Sequence, residues 1–169
     1  MIELIPEPLT KTAFAPFGDV IELETAQQFQ INQGLTTRFH DLFDIDASEQ
    51  DGRAIVSIFR TDPLPLPHRV ALMERHPLGS QAFLPMDHDP FLVLVADKGD
   101  KITAANLHLF ITNGYQGINL HRNTWHHFQI GLGKQRDFLV VDRAGNGINL
   151  EEISLEEAVL IPASVNIRG

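Results

Sequence analysis

A carboxylate and an imidazole on one predicted strand could together do acid–base or metal chemistry. Within the segment Val70–His76, alternate residues share a face, because neighbouring residues of a strand point to opposite sides of the sheet. Val70, Glu74 and His76 therefore lie on one face, which changes from apolar to acidic and imidazole along its length. This pattern predicts an interior that becomes polar toward one mouth.

Gln81 follows the turn at 77–79 and would join Glu74 and His76 if its strand folds back beside the first. An inward-facing acid–imidazole pair in a cleft is typical of a functional site. The alternative is an exposed carboxylate at Glu74 and a structural histidine at His76, since charged residues are seldom buried without a partner.

Three of the eight histidines lie at the end of a second segment, Asn113–His127. His121 and His126 are separated by a predicted turn, which places them at two strand ends that face a common opening. Two imidazoles and a carboxylate can bind a divalent metal ion, and they also suffice for general acid–base catalysis without one. Because neighbouring residues alternate, His126 is predicted to face inward and His127 to lie outside or at an interface.

Arginines supply what an anionic substrate would need, because a guanidinium can hold a carboxylate through two parallel hydrogen bonds. Arg122 lies in the histidine-rich loop, and Arg38 shares a face with His40. Arg60 ends a strand of buried character. A solvated surface cation is the alternative for each arginine. Three further histidines have no visible partner and are interpreted as structural or exposed: His68, His88 and His108.

Strand signals dominate the chain and predict an all-β sandwich or barrel. Ten short segments combine β-branched and aromatic residues or alternate in polarity, and turn residues such as Asn113-Gly114 separate them. The predicted strands are Val20–Leu23, Thr36–His40, Ala54–Phe59, Val70–His76, Gln81–Leu84, Phe91–Ala96, Leu107–Thr112, Gly117–Leu120, Trp125–Ile130 and Phe138–Asp142.

Helix signals are few and lie toward the two ends. Thr10–Phe14 is predicted as one or two helical turns, and Ser154–Glu157 has the spacing of a capping box that opens a short helix. Neither is long enough to cover a parallel sheet, which disfavours an α/β fold. The proline-rich segment Asp62–His68 is interpreted as a stiff loop between strands, with a polyproline ligand as the alternative.

The composition limits the class of protein. With 169 residues, the chain is predicted to form a single domain over 1–169. The net charge of −9 argues against nucleic-acid binding, and the absence of cysteine excludes disulfides, thiolate nucleophiles and cysteine-ligated zinc. No segment has the apolar length of a membrane helix, and no secretory signal is readable. We therefore expect a cytoplasmic protein with no membrane partner.

Longer strings carry a specific resemblance. They run in order over nearly the whole chain: Ala13–Ile21, Ile31–Gly34, Arg38–Asp41, Glu74–Met86, Ile111–Gly114, Gly117–His127, and Asp137-Phe138 through Asp142-Arg143. These strings resemble the bacterial ureidoglycolate lyase family of the cupin superfamily. The resemblance implies a cupin-type double-stranded β-helix barrel with short terminal helices, and a homodimer. It also implies conversion of (S)-ureidoglycolate, a small-molecule substrate, into glyoxylate and urea in allantoin and purine-nitrogen breakdown.

Cupins carry metal ligands in two motifs, and the resemblance assigns residues of this chain to those positions. The first histidine is replaced by Glu74, the second is His76, the glutamate position is Gln81, and the second-motif histidine is His126. The resemblance also implies a divalent metal ion, with Ni²⁺ as the ion associated with the family. Because two of these positions differ from the cupin pattern, a metal-independent reaction is the alternative.

The implied elimination needs a base for the hydroxyl proton, an acid for the departing urea nitrogen, and a cation for the substrate carboxylate. The expected candidates are Glu74 or His76 as base, His126 or His121 as acid, Arg122 or Arg38 for the carboxylate, and Asn113, Asn119 and Gln81 for the ureido group.

Two other functions would use the same barrel. One is a metal-dependent cupin isomerase or dioxygenase that acts on another small polar acid, and the other is a non-catalytic ligand-binding barrel. For the expected dimer, Trp125, His127 and Ala158–Ile161 are candidate interface residues, with a place in the core as the alternative.

Overall fold

Strands dominate the computed structural model of the chain, which describes residues 1–165. One short helix, α1, spans Lys11–Phe14. Single 3-10 turns occupy Asn32–Gly34, Glu49–Asp51 and Ala104–Asn106. The strands are β1 (Ile2–Glu3), β2 (Glu7–Pro8), β3 (Gly18–Ile21), β4 (Gln27–Ile31), β5 (Thr36–His40), β6 (Arg53–Thr61), β7 (His68–Arg75), β8 (Gln81–Pro85), β9 (Leu92–Ala96), β10 (Leu107–Ile111), β11 (Gly117–Leu120), β12 (Trp125–His126), β13 (Arg136–Ala144) and β14 (Glu151–Ile161).

Two curled sheets face each other across an apolar interior. The strand order of the first is β1-β14-β7-β12-β9-β10-β2, and that of the second is β3-β11-β8-β13-β6. Strands β4 and β5 form a separate hairpin that pairs only with itself. The arrangement is a half-barrel of the cupin type and confirms the predicted all-β fold.

The apolar side chains that lie between the two sheets form the inner cluster of the core. Strand β9 shows why the sequence builds two clusters: Val93 and Val95 face the interior, whereas Leu92 and Leu94 face an outer cluster on the other side of the sheet. A strand buried on both faces has a continuous apolar sequence. The inner cluster contains Leu9, Phe14, Phe17, Val20, Phe83, Phe91, Val93, Val95, Phe110, Ile118, Leu120, Phe138 and Val140.

The two predicted helices have different outcomes. The predicted turn at 10–14 is confirmed, since Thr10 caps α1 by accepting a hydrogen bond from the Ala13 amide at 3.2 Å. The predicted helix at 154–157 is wrong, because these residues lie within β14. Glu157 does not close a capping box there, since its carboxylate accepts a hydrogen bond from the Ala104 amide at 2.7 Å. None of the helices in residues 1–165 is long and apolar enough to cross a membrane.

The predicted face of β7 needs one correction. Val70 lies with Met73 in the outer cluster, so it does not share a face with Glu74. The cause is a shift of the register against β14 between Ser154 and Val159, where the ladder is interrupted and the alternation changes phase. The pairing is regular again at Glu74, which lies opposite Glu152.

Strand β12 is shorter than the predicted segment 125–130. Its ladder ends at His126, and Ile130 makes only an isolated bridge with Leu92. The candidate interface residues Trp125, Val159 and Ile161 all lie in the outer cluster of this chain, so they contribute to its core. The proline-rich segment is confirmed as a connection between strands, since β6 ends just before it and β7 begins at its last residue.

Candidate functional site

Strand pairing brings the two predicted motifs together. Glu74, near the end of β7, is the register partner of His126 on β12. Opposite residues of an antiparallel pair hold their side chains side by side on one face. His76 directly follows β7, and Gln81 is the first residue of β8. The ladder therefore positions Glu74 and His126 beside each other at one end of the half-barrel. The prediction that the strand of Gln81 folds back beside β7 is wrong, because β8 belongs to the other sheet and Gln81 reaches His76 from there.

Glu74, His76, Gln81 and His126 form what we call the four-residue cluster. One ligand atom from each of Glu74, His76 and His126 lies within 4.8 Å of the others. Glu74 Oε1 is 3.4 Å from His126 Nε2, and the rings of His76 and His126 have centroids 5.1 Å apart. Gln81 Oε1 lies 3.1 Å from His76 Nε2. The structure thus brings together the four predicted metal ligands.

Backbone carbonyls determine which ring nitrogens carry protons. His76 Nδ1 is 2.7 Å from the carbonyl oxygen of Asn149, and His126 Nδ1 is 2.9 Å from that of Thr124. A carbonyl oxygen only accepts, so each Nδ1 donates and each neutral ring keeps a lone pair on Nε2. His126 Nε2 is buried and has no hydrogen-bond donor. Both histidines therefore direct a bare nitrogen toward their neighbours in the cluster.

The electrostatics of the cluster favour an ionised carboxylate at Glu74 and a neutral imidazole at His76. A hydrogen bond donated by His126 when its Nε2 is protonated lowers the pKa of Glu74 and outweighs the opposite effect of burial, so this carboxylate is ionised at neutral pH. Burial lowers the pKa of His76, because desolvation disfavours the imidazolium form. Both side chains therefore offer lone pairs to a cation or a proton.

The four-residue cluster fits a divalent metal ion. Its inward atoms are carboxylate and amide oxygens and imidazole nitrogens, a set that suits zinc, nickel or iron. The 3.1 Å separation of His76 Nε2 and Gln81 Oε1 is that of neighbouring ligands, since metal–ligand bonds of about 2.1 Å at right angles place two ligands about 3.0 Å apart. A bound ion would also give the orphaned Nε2 of His126 a partner.

Three other predicted residues, His121, Asn119 and Arg122, lie around a different feature. They line a cavity of about 500 Å³ on the outer side of β11, together with Ser80 and the segment 41–46. His121 Nε2 is 2.9 Å from a carboxylate oxygen of Asp19, and Asn119 donates to the same oxygen at 3.0 Å. The structure therefore does not bring these residues into the four-residue cluster.

Arg122 is fully engaged by acidic neighbours. Its guanidinium donates to both carboxylate oxygens of Asp46, at 2.9 and 2.6 Å, and to Glu49 at 3.0 Å. These contacts raise the pKa of Arg122 and lower that of Asp46. The aspartates that line this cavity make it unfavourable for an anionic substrate.

The remaining predicted binding residues lie on elements that do not pair with β7 or β12. Arg38 is on the β4–β5 hairpin, and its guanidinium carbon lies 5.9 Å from the ring centre of Phe29. Asn113 accepts a hydrogen bond from the Tyr115 amide at 2.9 Å and lines an apolar cavity of about 430 Å³. Arg60 forms an ion pair with Asp137 at 2.8 Å.

His127 is buried, which corrects its predicted position outside. Its Nε2 lies 3.3 Å from His68 Nε2, and its Nδ1 donates to the Phe128 carbonyl at 3.0 Å. Because the ladder of β12 ends at His126, the alternation of a strand no longer applies to the next residue. Desolvation lowers the pKa of His127 to about 4 and also lowers the pKa of His68.

The three histidines interpreted as lacking partners all have one. His68 contacts His127. His108 Nε2 lies 3.0 Å from a carboxylate oxygen of Asp97, and His88 stacks on Tyr115 with ring centroids 4.8 Å apart. Their partners come from other strands or loops, so the sequence near each histidine does not reveal them.

Sequence reasoning missed three residues beside the cluster: Thr124, Asp142 and Asn149. Asp142 accepts a hydrogen bond from Gln81 Nε2 at 3.3 Å, and it could have been found because it alternates with the inward-facing side chains of Phe138 and Val140 on β13. Asn149 also accepts from the Leu78 amide through Oδ1 at 2.7 Å. Thr124 and Asn149 act through backbone carbonyls, which leave no signal in the sequence.

Comparisons with known proteins show what the chain is similar to. Residues 1–162 match the family model described as Ureidoglycolate lyase. The chain is 52% identical over 157 residues to a ureidoglycolate lyase of Pseudomonas syringae pv. tomato, covering 93% of this chain and 92% of the relative. It is 52% identical over 153 residues to a ureidoglycolate lyase of Burkholderia mallei, covering 90% and 89%. It is 48% identical over 166 residues to that of Pseudomonas savastanoi pv. phaseolicola, covering 98% of each.

Proposed function

The chain belongs to the ureidoglycolate lyase family, and from this premise we propose that its four-residue cluster is the site that splits ureidoglycolate into glyoxylate and urea. The single observation that carries this assignment is the convergence of Glu74, His76 and His126 within 4.8 Å. The substrate is a 2-hydroxy carboxylate with a ureido group on the same carbon. Cleavage of such a molecule needs a general base and a general acid close together.

The reaction is an elimination that requires no covalent nucleophile. The hydroxyl proton leaves to a base, and the oxygen forms the carbonyl group of glyoxylate. The carbon–nitrogen bond breaks with its electron pair on nitrogen, which takes up a proton to complete urea. One proton is removed and one is supplied, so the cluster returns to its starting state.

We assign the base to Glu74 and the acid to His126. Glu74 is a carboxylate at neutral pH, and His126 Nε2 lies 3.4 Å from it, close enough to exchange a proton with it. In the metal-free site, a proton accepted by Glu74 can pass to His126 Nε2 and then to the departing nitrogen. This relay and metal ligation by His126 are alternatives, because one lone pair cannot hold both a proton and an ion. His76 is the alternative base. His121 is less suited as the acid, because it is bonded to Asp19 beside the other cavity.

Glu74, His76, Gln81 and His126 would hold a divalent ion, for which we propose Ni²⁺ from the resemblance to the family. When bound, such an ion would polarise the substrate hydroxyl group and neutralise the charge of the substrate carboxylate. When no ion is bound, the residues themselves position the substrate and move its protons. Carboxylate binding by Arg122 is disfavoured, since its ion pairs with Asp46 and Glu49 would have to open.

The test is release of urea and glyoxylate from (S)-ureidoglycolate by the wild type and by Glu74→Ala, His76→Ala and His126→Ala, each with and without chelator and added Ni²⁺. We expect each variant to lose at least about 100-fold in kcat/KM. His108→Ala is the matched control, because this histidine lies on the surface beside Asp97. Full activity in all three cluster variants would refute the assignment.

We further propose a single domain over the whole chain, a homodimer and a cytoplasmic location. The dimer is supported by the edge strand β6, on which Val56 and Ile58 are 65% and 50% exposed. Light scattering of the wild type and of Val56→Lys would test it, since a charge on this apolar edge should weaken association. Cell fractionation would test the location, and limited proteolysis the single domain.

A further inference from the structure

Two acceptor atoms face each other inside the four-residue cluster. His76 Nε2 and Gln81 Oε1 are 3.1 Å apart, although neither carries a hydrogen when the imidazole is neutral. They are the middle contact of a chain that runs from the Asn149 carbonyl through His76 and Gln81 to the Asp142 carboxylate. Both ends of this chain only accept hydrogen bonds. His76 and Gln81 therefore direct their donors outward, and the middle contact is left with two acceptors.

Asp142 determines how the Gln81 amide is turned. A carboxylate accepts and cannot donate, so the NH₂ group of Gln81 faces Asp142 and its carbonyl oxygen faces His76. None of the ion pairs recorded within residues 1–165 includes Asp142. Its Oδ1 is buried and has no hydrogen-bond donor. Within residues 1–165, the hydrogen bond from Gln81 is therefore the one polar contact recorded for the Asp142 carboxylate.

We propose that Asp142 is a positioning residue that makes the four-residue cluster selective for a cation, by holding the carbonyl oxygen of Gln81 toward His76. This inference rests on the proposed function, in which the cluster holds a divalent ion. Two acceptors in contact repel each other, and a cation beside both converts that repulsion into two favourable interactions. Asp142 acts through Gln81, and we do not place it on the ion itself.

The experiment measures Ni²⁺ binding by calorimetry to protein freed of metal with chelator. In Asp142→Asn, the new NH₂ group can donate to Gln81, so the amide turns and presents its own NH₂ group to His76. We expect the Ni²⁺ affinity of this variant to fall by about 10- to 100-fold, as is typical when a partner of a metal ligand is lost. Circular dichroism and thermal melting confirm that each variant is folded.

A second substitution separates orientation from a general structural role. In the double variant Asp142→Asn with Gln81→Glu, the introduced carboxylate accepts from the introduced amide and still presents an oxygen to His76. We expect this double variant to bind Ni²⁺ within about threefold of the wild type. In the single variant Gln81→Glu, the introduced carboxylate faces that of Asp142 and the two repel each other. We therefore expect this variant to bind Ni²⁺ less tightly than the double variant.

Asp137→Asn is the matched control. It removes the same charge from the same strand, but its carboxylate pairs with Arg60 at the surface, so the Ni²⁺ affinity should not change. If Asp142→Asn does not fold, Asp142→Ala is measured instead. It removes the acceptor that orients the Gln81 amide without adding a donor, and its Ni²⁺ affinity should likewise fall.

Each outcome has one meaning. Wild type that binds no Ni²⁺ would overturn the proposed metal site, together with this inference. Wild-type binding combined with an unchanged Asp142→Asn would overturn this inference alone. A loss in Asp142→Asn that Gln81→Glu does not restore would also overturn it, because the role of Asp142 would then not act through the orientation of the amide.

Discussion

The imidazoles of His68 and His127 lie with their Nε2 atoms 3.3 Å apart, directly beside the four-residue cluster. His127 Nδ1 donates to the Phe128 carbonyl, so its Nε2 accepts from His68 when both rings are neutral. Protonation of both rings would place two positive charges in contact, with that of His127 buried. The folded state therefore requires at least one neutral ring at this position.

We predict that stability falls with acidification from about pH 6.5 to about pH 4. The pKa of His127 is about 4 in the folded chain and 6.5 in its ordinary state, so the unfolded chain binds more protons in this window. The contribution is complete above pH 6.5 and is lost as the pH falls to about 4. It amounts to at most about 3 kcal/mol. Urea unfolding of wild type and His127→Asn across this range measures it.

The variant His127→Asn should show a shallower pH dependence than the wild type, because the depressed titration is absent. His108→Asn, which changes an exposed histidine, should keep the wild-type dependence. Equal slopes for the wild type and His127→Asn would contradict the prediction.

Adding Ni²⁺ to the metal-free protein should raise its melting temperature. An ion that binds only the folded chain stabilises it by about 2.7 kcal/mol at 100 times its dissociation constant. For a chain of this length, that corresponds to about 5–10 °C. Differential scanning calorimetry measures the shift. His126→Ala should abolish it and His108→Ala should retain it, and a shift that survives in His126→Ala would place the ion elsewhere.

Loss of Arg136 should destabilise the fold strongly. Its side chain is completely buried, forms an ion pair with Asp87, and donates to the carbonyls of Pro90 and Asp89, each at 2.7 Å. Arg136→Ala removes the partner of the Asp87 carboxylate and should cost about 3–5 kcal/mol. Arg60→Ala, which breaks an exposed pair, should cost no more than about 1 kcal/mol. Similar losses for the two variants in urea unfolding would refute this ranking.

Gly18 should tolerate no side chain, because β3 passes very close to the backbone of β11. A Cβ atom at this position would lie 2.0 Å from the carbonyl oxygen of Asn119. Gly18→Ala should therefore cost about 3 kcal/mol or more. At Gly34, no atom lies within 4 Å of the added carbon, and Gly34→Ala should cost only about 1–2 kcal/mol for its positive φ. Chemical unfolding of both variants checks the difference.

The sequence predicted the strands well where local pattern and tertiary position agree. Gly117–Leu120 and Thr36–His40 have the bounds of the predicted segments, since turns at both ends limit them. The prediction failed at Ser154–Glu157, where a good capping pattern lies on a strand. Ser154 pairs with Leu72 of β7, and the residues after it continue β14 across the interruption of that ladder, so the strand outweighs the local preference.

The site was predictable to the extent that its residues follow strand alternation. Glu74 and His126 come together because β7 and β12 pair in register, whereas Gln81 comes from β8 in the other sheet. His121 and Arg122 lie in the loop just before the strand of His126, but their side chains turn to Asp19 and Asp46. Those aspartates come from distant segments of the chain, and the sequence does not indicate which acidic residues reach the loop.

The pairing of Glu74 with His126 in one ladder gives the chemistry a particular dependence on folding. The distance between them is set when the sheet assembles, before any small molecule arrives, so no closing motion has to bring them together. A shift of one residue in the register between β7 and β12 would turn either Glu74 or His126 to the opposite face of the sheet. The enzyme would then be inactive although its strand content is unchanged. Accuracy of strand alignment is thus a condition for turnover, separate from stability.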